Sequence, residues 1–312
     1  MDRRGFLYSI GSGTVAATAL SNQSADKKSF GKSRHLNKVT ILHTNDTHTH
    51  IDAFPINHKR YPNKGGVNNR KALVDRIRKE EKNVLLLDAG DIFQGTPYFN
   101  LYGGELELKL MSSIGYDAAT IGNHDFDGGI DGFVKALPNA NFPFLCANYD
   151  FSDTVLNGKT HDFKIFRKGH LKIGIFGIGV ELDGLVSKEM YKDTQYQNPI
   201  KQAQKQADIL KNDYKCDLVI CLSHLGYFAK QNDMCDTVLA KETSHIDLII
   251  GGHTHTFLDK PEMHKNKVGK AVLINQVGWA GIMLGRVDFY FDNKGNPDLW
   301  ASINIPTNVG IG

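Results

Sequence analysis

Short apolar runs alternate with amphipathic stretches along most of this chain. Residues 39–43, 84–88, 118–121, 144–148, 173–178, 218–223 and 248–251 are largely continuous apolar runs. Such runs suit strands covered on both faces. Between them, 70–82 sets Leu73, Val74 and Ile77 on one stripe, and 105–114 repeats the helical period. The segment 198–212 opens with Asn198 as an N-cap and Pro199 at the first helical position. It then offers Ile200, Ala203, Ala207 and Leu210 to a core. Beyond residue 270 the character changes, because 271–277 and 283–291 read as sheet with no helix between them. The pattern predicts an α/β layered domain with mixed sheets.

Polar residues of chemical interest collect where the predicted strands end. Asp46 and His48 follow the first run, Asp91 the second, and Asn123 and His124 the third. His224 closes the sixth run, and His253 and His255 follow the seventh. In open α/β sheets, sites form outside the carboxyl ends of the strands. Five separate strands therefore direct nitrogen and oxygen donors to one rim. A donor set without thiolate suits Mn²⁺, Zn²⁺ or Fe rather than Ca²⁺.

Composition narrows the reading. The 312 residues are 41% hydrophobic and 23% charged, a globular balance with length enough for a full core. Lys+Arg 37 against Asp+Glu 34 leaves +3 with no basic cluster. That argues against binding a nucleic-acid polymer through its phosphates. No unbroken apolar stretch reaches the length of a spanning helix, so no stable membrane insertion is expected.

The N-terminus carries Arg3-Arg4-Gly5-Phe6-Leu7, a weakly apolar run to Leu20, and a small-residue site at Ala17-Thr18-Ala19. It resembles a twin-arginine export signal over 1–19, followed by a linker over 20–37 and the domain proper over 38–312. An exported, periplasmic protein is the expectation. Of the cysteines, Cys216 and Cys221 would sit roughly 16 Å apart in an extended segment, too far to bridge. A bond from Cys235 to either stays open, beside the reading that these thiols and Cys146 are buried and inert.

Taken singly, Asp46-Thr47-His48 and His253-Thr254-His255 are weak signals in a chain with 13 His. The ordered set is specific: Leu42-His-Thr-Asn-Asp-Thr-His48, Gly90-Asp-Ile-Phe-Gln-Gly95, Gly122-Asn-His-Asp-Phe-Asp127, Ser223-His-Leu-Gly226 and Gly251-Gly-His-Thr-His255. On these motifs the chain resembles the calcineurin-like metallophosphoesterases. More narrowly, it resembles the catalytic domain of the periplasmic 5′-nucleotidases and UDP-sugar hydrolases. The resemblance implies a four-layer αββα sandwich with two mixed β-sheets and a site for two divalent metal ions. Asp46, His48, Asp91 and His255 would hold the first ion. Asp91, Asn123, His224 and His253 would hold the second, so Asp91 is shared. His124 would stand beside the phosphate as a catalytic group, with Asp127 orienting it.

The implied reaction is hydrolysis of phosphate monoesters, above all nucleoside 5′-monophosphates, by in-line attack of hydroxide held on the metals. Rival readings are a 2′,3′-cyclic nucleotide phosphodiesterase, a nucleotide-sugar pyrophosphatase or a sulfur-ester hydrolase. Outside the enzymes, the rival is a non-catalytic metal-binding subunit of a split nucleotidase. Nucleotidases of this kind carry a C-terminal domain that stacks the base, and this chain ends soon after its last predicted strand. A separately encoded chain would then supply base recognition, unless the chain acts on many esters or its own loops do the work. The loop candidates are 54–62 and 96–102, with Tyr61, Tyr98, Phe99 and Tyr102. His43 and His50 are expected to be structural or to support the ligands from behind.

Overall fold

The computed structural model describes residues 37–228, 234–292, 295 and 297–308 with side chains, and only the backbone of Phe6–Ile10 and Gly13–Ala19. In chain order the strands are β1 (Phe6–Ile10), β2 (Gly13–Ala19), β3 (Asn37–Thr44), β4 (Val84–Asp88), β5 (Ala118–Ala119), β6 (Tyr149–Asp150), β7 (Phe163–Lys168), β8 (Leu171–Ile178), β9 (Gln195–Tyr196), β10 (Leu218–Ser223), β11 (Leu248–Gly251), β12 (Glu262–Lys265), β13 (Ala271–Asn275), β14 (Met283–Phe291) and β15 (Pro297–Pro306). The helices are α1 (Val67–Glu80), α2 (Pro97–Tyr102), α3 (Glu105–Ile114), α4 (Gly129–Ala136), α5 (Lys188–Tyr191), α6 (Pro199–Asp208) and α7 (Asp236–Glu242).

One sheet runs β1-β2-β15-β14-β3-β4-β5, parallel only through β3, β4 and β5. The other runs β12-β13-β11-β10-β8-β7, parallel through its middle four strands and antiparallel at both edges. Period-two geometry sorts the side chains of each strand. Leu85 and Leu87 of β4 join Leu218, Ile220 and Leu222 of β10 in a core between the sheets. Val84 and Leu86 face the other way, onto Leu73 and Ile77 of α1 and Leu108 and Met111 of α3. Val219 and Cys221 of β10 face Ala203 and Ala207 of α6 and Leu239 of α7. The layers are therefore helix, sheet, sheet, helix: the four-layer sandwich with two mixed sheets.

Local signals explain several elements. Asn198 caps α6 by accepting a hydrogen bond from Lys201 N at 2.9 Å, with Pro199 at the first position. The helix then loosens into a π turn over Ile209–Asp213, which keeps Leu210 buried. One expected strand is absent. Residues 144–148 form no ladder; Leu145 N bonds to Ala119 O, Cys146 N to His161 O, and Ala147 N to Gly177 O, each at 2.8 Å. The segment changes partner at each residue as it passes from one sheet to the other. It is apolar because it is enclosed, not because it is a strand.

All four cysteines are free and buried, so Cys235 bonds to neither Cys216 nor Cys221. No described helix is long and apolar enough to cross a membrane. Most of the expected leader and linker, residues 1–5, 11–12 and 20–36, lies outside the described residues.

Candidate metal centre

The parallel registers bring the strand ends level. Thr44 pairs with Asp88 across β3 and β4, and Ser223 with Gly251 across β10 and β11. The loops that follow fold over one rim. Their turns are sharp: Asp46, His48, Asp91, His253 and His255 have φ of 49°, 46°, 55°, 70° and 51°. A left-handed backbone costs a residue with a Cβ roughly 1–2 kcal/mol. It persists only where the surroundings fix it. Here they do, because hydrogen bonding continues past the strands. Asp46 N donates to Gly90 O at 2.9 Å, His48 N to Asp91 O at 3.0 Å, and Ala280 N to Asp46 O at 2.7 Å. Gly122 is glycine for lack of room, since a Cβ there would collide with Asp91 Oδ1.

Two groups of donors converge, Asp46 with His48 and His255, and Asp91 with His224 and His253. In the first, His255 Nε2 lies 3.4 Å from Asp46 Oδ1 and 3.0 Å from His48 Nε2. In the second, His224 Nε2 lies 3.0 Å from Asp91 Oδ2, and Asn123 Oδ1 is 2.8 Å from His253 Nδ1. Asp91 joins the groups, because its Oδ2 is also 3.8 Å from His48 Nε2. His253 N donates to Asp46 Oδ1 at 2.9 Å. All seven residues named as ligands from the sequence are thus in one place.

Backbone carbonyls aim the rings. His224 Nδ1 is 2.7 Å from Ala89 O and His48 Nδ1 is 3.2 Å from Phe93 O. A carbonyl can only accept, so each Nδ1 carries a proton and each Nε2 is turned to the cluster, where it ligates once deprotonated. His224 Nε2 is buried without a hydrogen-bond partner. An orphaned ring nitrogen facing carboxylates and other imidazoles fits a cation at that point. Electrostatics differ between the rings. Burial pushes the His48 pKa down, and burial with His224 pushes that of His253 to about 4, which favours the neutral, ligating form. Burial also opposes charge on His224, but Asp91 and Asp46 outweigh it and raise its pKa to about 10, so a cation there would take the place of a proton. Burial raises the Asp91 carboxyl, but the His224, His48 and His124 imidazoles outweigh it and hold the pKa well below the carboxylate range.

His124 stands apart from these donors. Its backbone N–H donates to Asp91 Oδ1 at 2.8 Å, its Nδ1 meets Asp127 Oδ2 at 2.8 Å, and its ring lies 5.3 Å from that of His48. The Asp127 hydrogen bond chiefly raises its pKa, against burial.

Asp125 ties two of the turns together. Its carboxylate accepts from Asp91 N, Ile92 N, Phe93 N and Gly122 N at 2.8–3.1 Å, clamping the Asp91 turn to the Asn123 turn. Asn45 likewise braces a turn, donating to Asp46 Oδ2 at 2.5 Å and accepting from Val277 N at 3.0 Å. These contacts join segments remote in sequence, so spacing carries no trace of them. Of the other expected residues, His43 is buried within β3 and His50 stacks on Phe54 at 5.1 Å. Tyr98 donates to Asp52 at 2.7 Å and Phe99 stacks on Phe93 at 5.5 Å, so Phe99 serves packing.

Comparison with known proteins agrees with this architecture. The snake venom 5′-nucleotidase of Gloydius brevicauda is 32% identical over 279 residues, covering 83% of this chain and 46% of that protein. The trifunctional nucleotide phosphoesterase YfkN of Bacillus subtilis is 32% identical over 289 residues, 82% of this chain and 18% of that one. The 5′-nucleotidase precursor of Thermus thermophilus superposes with a TM-score of 0.79 at 32% identity, covering 86% of this chain and 54% of that structure. The chain thus spans about half or less of the length of the relatives it matches. The calcineurin-like phosphoesterase family model matches residues 39–257. With that span, this fold and two adjoining groups of metal-type donors, the chain belongs to the calcineurin-like phosphoesterases.

Proposed function

We propose that the chain is a two-metal hydrolase of phosphate monoesters, with nucleoside 5′-monophosphates as the preferred class. The observation that carries it is the pair of donor groups joined at Asp91, with His124 beside them and outside both. Asp46, His48, Asp91 and His255 would hold one divalent ion, and Asp91, Asn123, His224 and His253 the other. Such ions supply positive charge for the phosphate and ionise water near neutral pH. The chain's own residues do the rest. Asp127 fixes Nδ1 of His124, so Nε2 points outward to steady a phosphate oxygen or give a proton to the leaving alkoxide. Asp125 holds the Asp91 turn.

The test is phosphate release from AMP and from p-nitrophenyl phosphate after addition of Mn²⁺ or Zn²⁺. Turnover of either supports the reading, and folded protein that hydrolyses neither with any metal sinks it. The rival readings of the sequence keep cyclic nucleotides and nucleotide sugars on the substrate panel, and one relative is named a trifunctional nucleotide phosphoesterase. Export through the Arg3-Arg4 leader is part of the same proposal. N-terminal sequencing of the mature protein checks it, with cleavage near Ala19 as the expected result.

A further inference from the structure

Beside His255 lies a set of rings brought together from three chain segments. Phe54 and Tyr61 come from the loop before α1, Phe257 from the turn after β11, and Trp279 from the turn after β13. His255 stacks on Trp279 with centroids 5.9 Å apart and planes at 10°. Trp279 meets Phe54 at 5.9 Å, Phe54 meets Tyr61 at 5.6 Å, and Tyr61 stacks on Phe257 at 6.3 Å. The series starts on a candidate metal ligand and leads outward.

These rings are fixed and only partly covered: His58 stacks on Tyr61 at 5.7 Å with Arg60 also over it, and Phe257 is the ring left most open. Phe257 is 40% exposed, and Phe54, Tyr61 and Trp279 are half-buried. The backbone of Phe257 bridges Val277, and its ring lies across Gly278, where a Cβ would collide with it. Gly278 has φ of 77°, so both its conformation and its missing side chain serve this arrangement. The loop is pinned too: Phe54 N donates to Lys64 O at 2.8 Å and Tyr61 N to His58 Nδ1 at 2.9 Å. Burying a large apolar side chain is worth about 1.5–3 kcal/mol. A fold that orders several rings yet leaves them at the surface forgoes part of that stabilisation. Aromatic surface left open beside a candidate site is surface that a ligand can bury.

We propose that this aromatic rim is a ledge on which the planar base of a phosphate ester stacks while its phosphate lies at the metal centre. The proposal rests on the phosphoesterase reading and locates base recognition in this chain. Base–aromatic stacking is worth about 1–3 kcal/mol per base and tolerates any base, because every base has a π-face. Rings already held in place lose little entropy when a ligand arrives. The ledge would therefore select for a flat base and discriminate weakly among bases.

Two measurements test this. The first is kcat/KM for AMP relative to ribose 5-phosphate, in the wild type and in Phe257→Ala, Tyr61→Ala and Phe257→Leu. The ratio should fall about tenfold in each, the equivalent of 1.4 kcal/mol, and recover in Phe257→Trp. Phe257→Leu keeps apolar packing and guards against loss of fold, which circular dichroism checks. The second is adenosine binding followed by tryptophan fluorescence, where quenching should vanish in Trp279→Phe. A ratio unchanged in all three variants, or adenosine that leaves Trp279 emission unaltered, overturns the ledge. Absence of turnover on either ester sinks the phosphoesterase reading instead, while adenosine quenching, which needs no turnover, still decides the ledge.

Discussion

Asp125 accepts four backbone N–H groups from two turns, and neither its position nor its type marks it as more than a loop acid. Each oxygen serves two donors, so Asp125→Asn turns one acceptor into a donor and leaves two buried N–H groups unpaired. At about 1–3 kcal/mol per orphaned group, urea unfolding should show a loss of roughly 2–5 kcal/mol. Metal content per chain should fall with it, because Asp91 loses its hold. His124→Ala is the contrasting case. Its ring touches no described ligand oxygen, so metal content should persist while kcat drops about 10²–10⁴-fold, the usual worth of a positioned acid–base group. Elemental analysis with steady-state kinetics separates the two variants. The ligand candidates were legible at this scale because they sit in short motifs at strand ends. Asp125 and Asn45 act across gaps of up to 233 residues, and their distant partners are backbone atoms that any residue would offer.

Among elements, three differ from the expectation, each for its own local reason. Residues 144–148 read as a strand because enclosure, not pairing, sets their composition. Strand β5 shrinks to Ala118–Ala119 because the chain turns early to deliver Asn123. Helix α1 starts at Val67, earlier than its apolar stripe, because Gly66 with φ of 79° turns the chain directly into it. The loops after β4 and β5 are packed backbone against side chain, which is why Gly122 has no room for a methyl group. Gly122→Ala should displace Asp91, leaving a folded protein of lowered stability that binds at least one metal ion fewer. Isothermal titration with Mn²⁺ checks the stoichiometry.

For the whole molecule, each donor group takes residues from both sheets. Asp46 and His48 follow β3 while His255 follows β11; Asp91 follows β4 while His224 follows β10. Bound ions would brace the sandwich at its open end. Chelation should therefore lower Tm by roughly 5–10 °C, from about 2.7 kcal/mol of linkage at a hundredfold excess over Kd, with recovery on adding Mn²⁺. His43 reports on a different contact between the sheets. It is wholly buried, accepts from Asn275 Nδ2 of β13 at 2.8 Å, and burial pushes its pKa down to about 3. The unfolded chain binds this proton below about pH 6.5 and the folded chain does not. Stability is thus intact above pH 6.5 and falls as pH drops toward 3, by up to about 1.4 kcal/mol per unit. In His43→Gln, chelated to remove the metal contribution, the pH dependence of urea unfolding should be shallower over that window.

The central strands β3, β4, β8, β10, β11, β13 and β14, the helices α1, α3 and α6, and the candidate donors at strand ends were legible in sequence alone, because periodicity and motif spacing are local properties. The two-sheet layering was implied only through resemblance to a family. Tertiary structure decided the rest: which carbonyls aim the imidazoles, which carboxylate clamps the turns, how five left-handed residues are held, and where the aromatic rings gather. Those depend on contacts between residues tens to hundreds of positions apart, and a linear pattern does not encode such distances.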